Sequence, residues 1–172
     1  MTEEQKPKKL DDFKLIIDDV RARQAALVNL IIFTDQKAMA VFRLYVTLGI
    51  AAGVTGAASF FRRDELLEFA RWSMVATAIW LAIGALFCFR AMSRSSINLP
   101  GRGPEFWQWA LHSENDQQEV ADAYLNELKE RQKSNRDLNE RTAAALDIAV
   151  KMGVATPIIT AVAAAVPLLF QR

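Results

Sequence analysis

Three apolar stretches, residues 38–61, 72–92 and 152–170, constrain this chain more than any other feature, because each is long enough to cross a bilayer. Each runs to about 19 to 24 residues, and at about 1.5 Å per helical residue that length matches a hydrocarbon core of about 30 Å. Within such a core every backbone polar group must be bonded inside the protein, and helices of this length meet that demand. The expectation is an all-α membrane protein, a helical bundle of three transmembrane helices.

Bulk composition conceals the pattern. The net charge is +1 and the mean hydropathy +0.07, values that average two different kinds of sequence. Residues 1–36 and 93–145 hold most of the acids and bases, whereas the apolar stretches hold few, so water and lipid divide the chain. The balanced charge argues against a nucleic-acid binder. Cys88 is the one cysteine and lies within the second apolar stretch, which excludes a disulfide framework or a cysteine metal site. His112 is also single. The opening residues are charged and lack a short apolar region with a small-residue cleavage site, so the first span is expected to be retained.

Bases beside the spans set the expected orientation. Lys14, Arg21, Arg23 and Lys37 precede the first span, and Arg90, Arg94 and Arg102 end or follow the second, against Arg62, Arg63 and Arg71 in the intervening loop. This places the N-terminus in the cytoplasm. The resulting layout is a cytoplasmic N-terminal helix over 1–36, a transmembrane hairpin over 37–92, a cytoplasmic turn, aromatic segment and stalk helix over 93–145, and a third transmembrane helix over 146–172.

The hydrophilic segments carry their own periodicity. Leu10, Phe13, Ile17, Val20, Gln24, Leu27, Ile31, Thr34, Ala38, Val41, Tyr45 and Leu48 alternate by three and four, one seam along a helix that continues into the first span. Its complement is Tyr124, Leu128, Arg131, Asn135, Leu138, Thr142, Ala145 and Ala149, in a segment free of Pro and Gly that leads into the third span. Extensions of the first and last membrane helices are thus expected to form a cytoplasmic helical stalk, as a coiled coil or as an ordinary amphipathic pair. Gln24, Arg131 and Asn135 are its polar seam members and the candidate ligand-binding or signal-sensing residues. Between the second span and the stalk, Pro100, Gly101, Gly103 and Pro104 break helix. Phe106, Trp107, Trp109 and Leu111 follow, fitting either a helix at the lipid headgroups or burial against the stalk.

Gly49, Gly53 and Gly56 allow close helix approach in lipid and are candidates for helix packing, in self-association or within one chain. Asp35, Lys37, Arg43, Asp147 and Lys151 form a set of charges at the membrane mouth, suited to interface anchoring or to lining a pore mouth. Pro157 predicts a kink in the third span. No nucleophile–base set, phosphate loop or metal motif is present, so the expectation is a non-enzymatic protein without a cofactor.

Thr34-Asp35-Gln36-Lys37-Ala38, at the mouth of the first span, resembles the Asp-x-Lys-Ala element of the Pycsar transmembrane effector family. The similarity continues through a Pro-containing turn, the segment Glu105-Phe106-Trp107-Gln108-Trp109, a helix with Tyr124, and an Asn/Ala-rich approach to the last span. The resemblance implies an effector of bacterial antiphage defence that oligomerises and permeabilises or depolarises the inner membrane on a cytoplasmic signal. Its implied partners are the lipid bilayer, further copies of the chain, and a cyclic nucleotide made by a nucleotide cyclase or a separate sensor protein. Members of that family can carry a cyclic-nucleotide-binding domain, for which this chain has no room, so sensing falls to the stalk or another subunit. Two alternatives remain from the residues themselves: a membrane adaptor or scaffold that binds a cytoplasmic partner, and a phage holin-like pore former.

Overall fold

The computed structural model describes residues 10–61, 66–92, 97–111 and 116–170. Arg62, Arg63, Arg94 and His112, together with the Leu10, Phe13 and Pro167 side chains, lie outside that description. Four helices follow in order: α1 (Leu10–Ser59), α2 (Leu66–Ala91), α3 (Pro104–Ala110) and α4 (Gln117–Phe170). Three are long and apolar enough to cross a membrane, over Lys14–Ser59, Ala70–Ala91 and Gln117–Val166. The chain is an all-helical protein among its described residues, and α4 continues as helix through Pro157.

Two compact units divide the chain, one of Met1–Ile32 with Ser95–Asn139 and the other of Phe33–Arg94 with Glu140–Arg172. The second unit starts at 33 and resumes at 140, earlier than the apolar runs predict. Contact between the small residues Ala38, Ala91 and Ala145, with Met92 and Leu146 against them, accounts for this, because it packs the helices before each sequence becomes continuously apolar.

Buried positions in the second unit recur at bundle spacing. They include Ala38, Tyr45 and Ala52 on α1, Thr77, Leu81, Cys88 and Ala91 on α2, and Thr142, Ala145 and Ala149 on α4. Tyr45 joins all three helices. Its ring packs with Leu81, Ala85, Cys88 and Ala149, and its hydroxyl donates to the Ala149 carbonyl. Trp80 of α2 donates its indole N–H to the Met152 carbonyl at 2.9 Å, and the Thr77 and Thr160 hydroxyls meet at 2.7 Å. Polar bonds between helices matter here because lipid supplies no hydrophobic drive to hold apolar helices together.

Room for the tyrosine comes from two glycines. A Cβ on Gly84 would stand 2.8 Å from Tyr45 Cδ2, and one on Gly153 would stand 2.5 Å from the Tyr45 hydroxyl oxygen. The ring packs closely against both glycines. Gly49 and Gly53 differ, since a Cβ there would meet Leu81 and Ala78 at 3.6 and 3.8 Å, an ordinary contact. Gly56 is tighter, 3.2 Å from Val75 Cγ2. All three face α2, so in this chain they pack one helix against its neighbour.

Gly84→Ala and Gly153→Ala are each expected to destabilise the protein by roughly 1–3 kcal/mol through overpacking. Gly53→Ala should be neutral or stabilising, because it gains helix propensity at no steric cost. Unfolding in detergent micelles, followed by helical circular dichroism, measures the difference in sign.

Candidate functional site

In the first unit, the unusual feature is what the core contains. Gln24 and Asn135 are 0% exposed and rank with Ile31 and Leu128 among the largest fully buried side chains. A buried primary amide is costly unless bonded, so these two dictate what must lie beside them. They are bonded to the backbone of the segment between α2 and α3. The Asn135 side chain accepts from Asn98 N–H at 2.9 Å and donates to the Asn98 carbonyl at 2.8 Å. Gln24 donates to the carbonyls of Asn98 and Leu99, both at 3.3 Å. α1 and α4 therefore grip one extended segment from two sides.

The grip continues along the chain. Arg131 donates to the Gly101 carbonyl at 2.9 Å, and Arg102 to the Ala123 carbonyl at 3.3 Å. Gly101 has φ of 100°, a conformation that L side chains rarely adopt, and this turn delivers Arg102 to its place. Gly103 caps α3, with Pro104 opening it, an arrangement that suits a first helical turn.

Around this loop lies a cluster of cations and rings. The Arg102 side chain is 7% exposed, forms an ion pair with Glu127, and sits 4.3 Å from the Phe106 ring centroid. Arg131 binds Glu127 in a helical i,i+4 pair at 2.7 Å. Arg21 donates to the Tyr124 hydroxyl at 2.6 Å, with its guanidinium 5.3 Å from that ring's centroid. Phe106 contacts Tyr124 in turn, at 5.8 Å between centroids. Burial, and then the charge of Arg131, lower the Arg102 pKa from its ordinary value, while Tyr124 acts in the opposite direction. Two guanidiniums, Arg102 and Arg131, share the Glu127 carboxylate, and Arg21 lies against Tyr124. Two buried polar atoms here have no partner among the described residues, Gln24 Oε1 and Arg102 Nε. An anion with both donor and acceptor groups has the chemistry to meet these unmatched groups.

Sequence reasoning selected Gln24, Arg131 and Asn135, and the structure brings all three to one loop. It overlooked Arg21, Arg102 and Glu127, although Glu127 and Arg131 stand at pairing distance in sequence. Arg102 gives no sequence sign of burial, which depends on the turn at Gly101.

The charges assigned to the membrane mouth are dispersed within the second unit. Asp147 and Lys151 pair at 2.5 Å, both exposed, and Lys37 lies 4.3 Å from the Phe33 ring centroid. Asp35 is half-buried, and Arg43 is exposed. An open apolar groove of about 680 Å³ is lined by Leu44, Leu48 and Tyr45 of α1, with Leu81 and, on α4, Gly153, Pro157 and Ala161 among others. Comparison with protein-family models, curated proteins and solved structures found no match.

Asn135→Leu should lower stability by about 1–3 kcal/mol, because it leaves the Asn98 N–H without its acceptor. Gln24→Leu should cost less than about 1 kcal/mol: its two bonds are long, and the change removes an unmatched oxygen. Thermal unfolding of both variants, monitored by circular dichroism, tests this ranking.

Proposed function

We propose that this chain is an inner-membrane effector of bacterial antiphage defence, in which a cytoplasmic anionic signal opens the amide grip on residues 98–102 and permeabilises the bilayer. The observation carrying this reading is the excess of guanidinium over carboxylate at Arg21, Arg102, Arg131 and Glu127, beside the unmatched Gln24 Oε1 and Arg102 Nε. A cyclic nucleotide offers the matching groups: a phosphate for the guanidiniums, and a base able to donate to Gln24 and stack on an aromatic ring. The resemblance to the Pycsar transmembrane effectors supports the same class of signal.

The mechanism follows from the helices that hold the grip. α1 and α4 each contribute to both units, so a ligand that competes for Gln24, Arg131 or Asn135 changes the restraint on two helices that also pack around Tyr45. Regrouping of those helices in an oligomer then admits ions. In this reading the N-terminus is cytoplasmic and the residues that line the passage come from the spans. The chain performs no catalysis and needs no cofactor.

A membrane adaptor is the second reading. It is favoured by the internal partners of Asn135 and Arg131, whose side-chain donors are already used by the loop and by Glu127.

Dye release from liposomes holding the purified protein, with cyclic UMP, cyclic CMP and cyclic oligonucleotides each added in turn, separates the two. Release should follow one nucleotide, and Arg21→Gln should raise the concentration required by about tenfold, the loss of one charge-assisted hydrogen bond. Absence of release with every nucleotide, from correctly inserted protein, would contradict the effector reading and favour the adaptor.

A further inference from the structure

Glu127 is held on each of its oxygens by a different arginine. Oε1 accepts from Arg131 Nε at 3.0 Å and from a second Arg131 nitrogen at 2.7 Å, while Oε2 pairs with Arg102. Both guanidiniums are also tied to backbone through another nitrogen. Arg131 donates to the Gly101 carbonyl at 2.9 Å and Arg102 to the Ala123 carbonyl at 3.3 Å, so each has an anchor besides the carboxylate. Access to water differs among the three: the Arg102 side chain is 7% exposed, Arg131 29% and Glu127 39%. The carboxylate is the most accessible member, and its departure uncovers two anchored cations. We propose that Glu127 is a built-in stand-in for a phosphate, occupying the Arg102–Arg131 seat until a phosphoryl group displaces it.

The chemistry of the seat favours a tetrahedral phosphate over a second carboxylate. Both Glu127 oxygens are engaged, yet the buried Arg102 Nε still has no acceptor among the described residues. A phosphate ester also carries its anionic oxygens on one central atom, so guanidinium forks bind it at two points as they do a carboxylate, and its tetrahedral set has a further oxygen for Nε. Charge is conserved in the exchange. A phosphodiester brings one negative charge for the one that leaves, and the Glu127 carboxylate moves into water, so the sealed Arg102 cation is never left without a counter-charge. This seat is the one that the effector reading assigns to an anion, and the exchange rests on that reading. It requires no permeabilisation of the bilayer.

Inorganic phosphate, titrated calorimetrically into the purified chain in detergent at fixed ionic strength, tests the exchange separately from dye release. Glu127→Gln should bind phosphate at least about tenfold more tightly than the unaltered protein, and Arg102→Gln added to it should abolish that gain. Glu127→Asp keeps the net charge but withdraws the carboxylate from Arg102 by a methylene, so it too should tighten binding, by about threefold. It carries the test if Glu127→Gln does not fold. Glu130→Gln, which removes an exposed carboxylate of the same helix, should leave the affinity within about twofold. Equal tightening by Glu127→Gln and Glu130→Gln, or unchanged affinity in folded Glu127→Asp, would overturn the proposal. Tightening as expected, with no dye release under any nucleotide, would uphold the seat and contradict the effector reading instead. The source of the phosphoryl group is read from Glu127→Gln in phosphatidylglycerol nanodiscs: affinity equal to that in detergent assigns a soluble ligand, and affinity lost there assigns a lipid headgroup. Both results uphold the exchange.

Discussion

A primary amide sealed from water must find hydrogen bonds inside the protein, and Gln24 and Asn135 place that requirement at the centre of the first unit. Asn135 meets it with both the N–H and the carbonyl of Asn98, so an otherwise irregular stretch of backbone becomes part of the core. Much else follows. With Asn98 held, the turn at Gly101 delivers Arg102 to Glu127 and Phe106 to Tyr124, and α3 starts where that turn ends. An apolar seam of the same helices would give tighter burial, but no reason for this loop to lie in this register. Buried amides provide such register at a cost in stability, and here the specified partner is a loop.

The second unit solves a different problem. Its helices meet through small residues and through one large one, Tyr45, which is seated against glycines on two other helices and bonded to a carbonyl of α4. Burial is uneven among the helices, and residues 150–166 of α4 include none that is buried. Along that stretch α4 lines the open groove through Gly153, Pro157 and Ala161. Beyond Ala149, α4 is held to its neighbours by the Trp80 bond to the Met152 carbonyl, the contact of Gly153 with Tyr45 and the Thr77–Thr160 hydroxyl pair.

How much of this was legible in the sequence depends on whether a signal is local. Hydrophobic length and three-four spacing are local, so the three long apolar helices and the polar seam residues Gln24, Arg131 and Asn135 were found from residues alone. The role of those seam residues was not. The two amides share a third stretch of backbone, at Asn98, which seam spacing does not reveal. Gly49, Gly53 and Gly56 drew notice as a recognisable repeat, yet the closest approaches in the second unit belong to Gly84 and Gly153, which stand apart in sequence and meet through Tyr45. Arg102 was read as a base that helps set orientation, and its burial beneath Phe106 and beside Glu127 arises from tertiary contacts between distant segments.

The central claim is that the grip on residues 98–102 is the element that opens when the membrane is permeabilised. Hydrogen exchange at the Asn98 amide, followed in liposomes under the nucleotide condition that releases dye and under one that does not, tests it most directly. The account predicts slow exchange in the resting protein and a marked acceleration that appears with release, as the Asn135 acceptor is lost. An Asn98 amide that stays equally protected while dye escapes would contradict it.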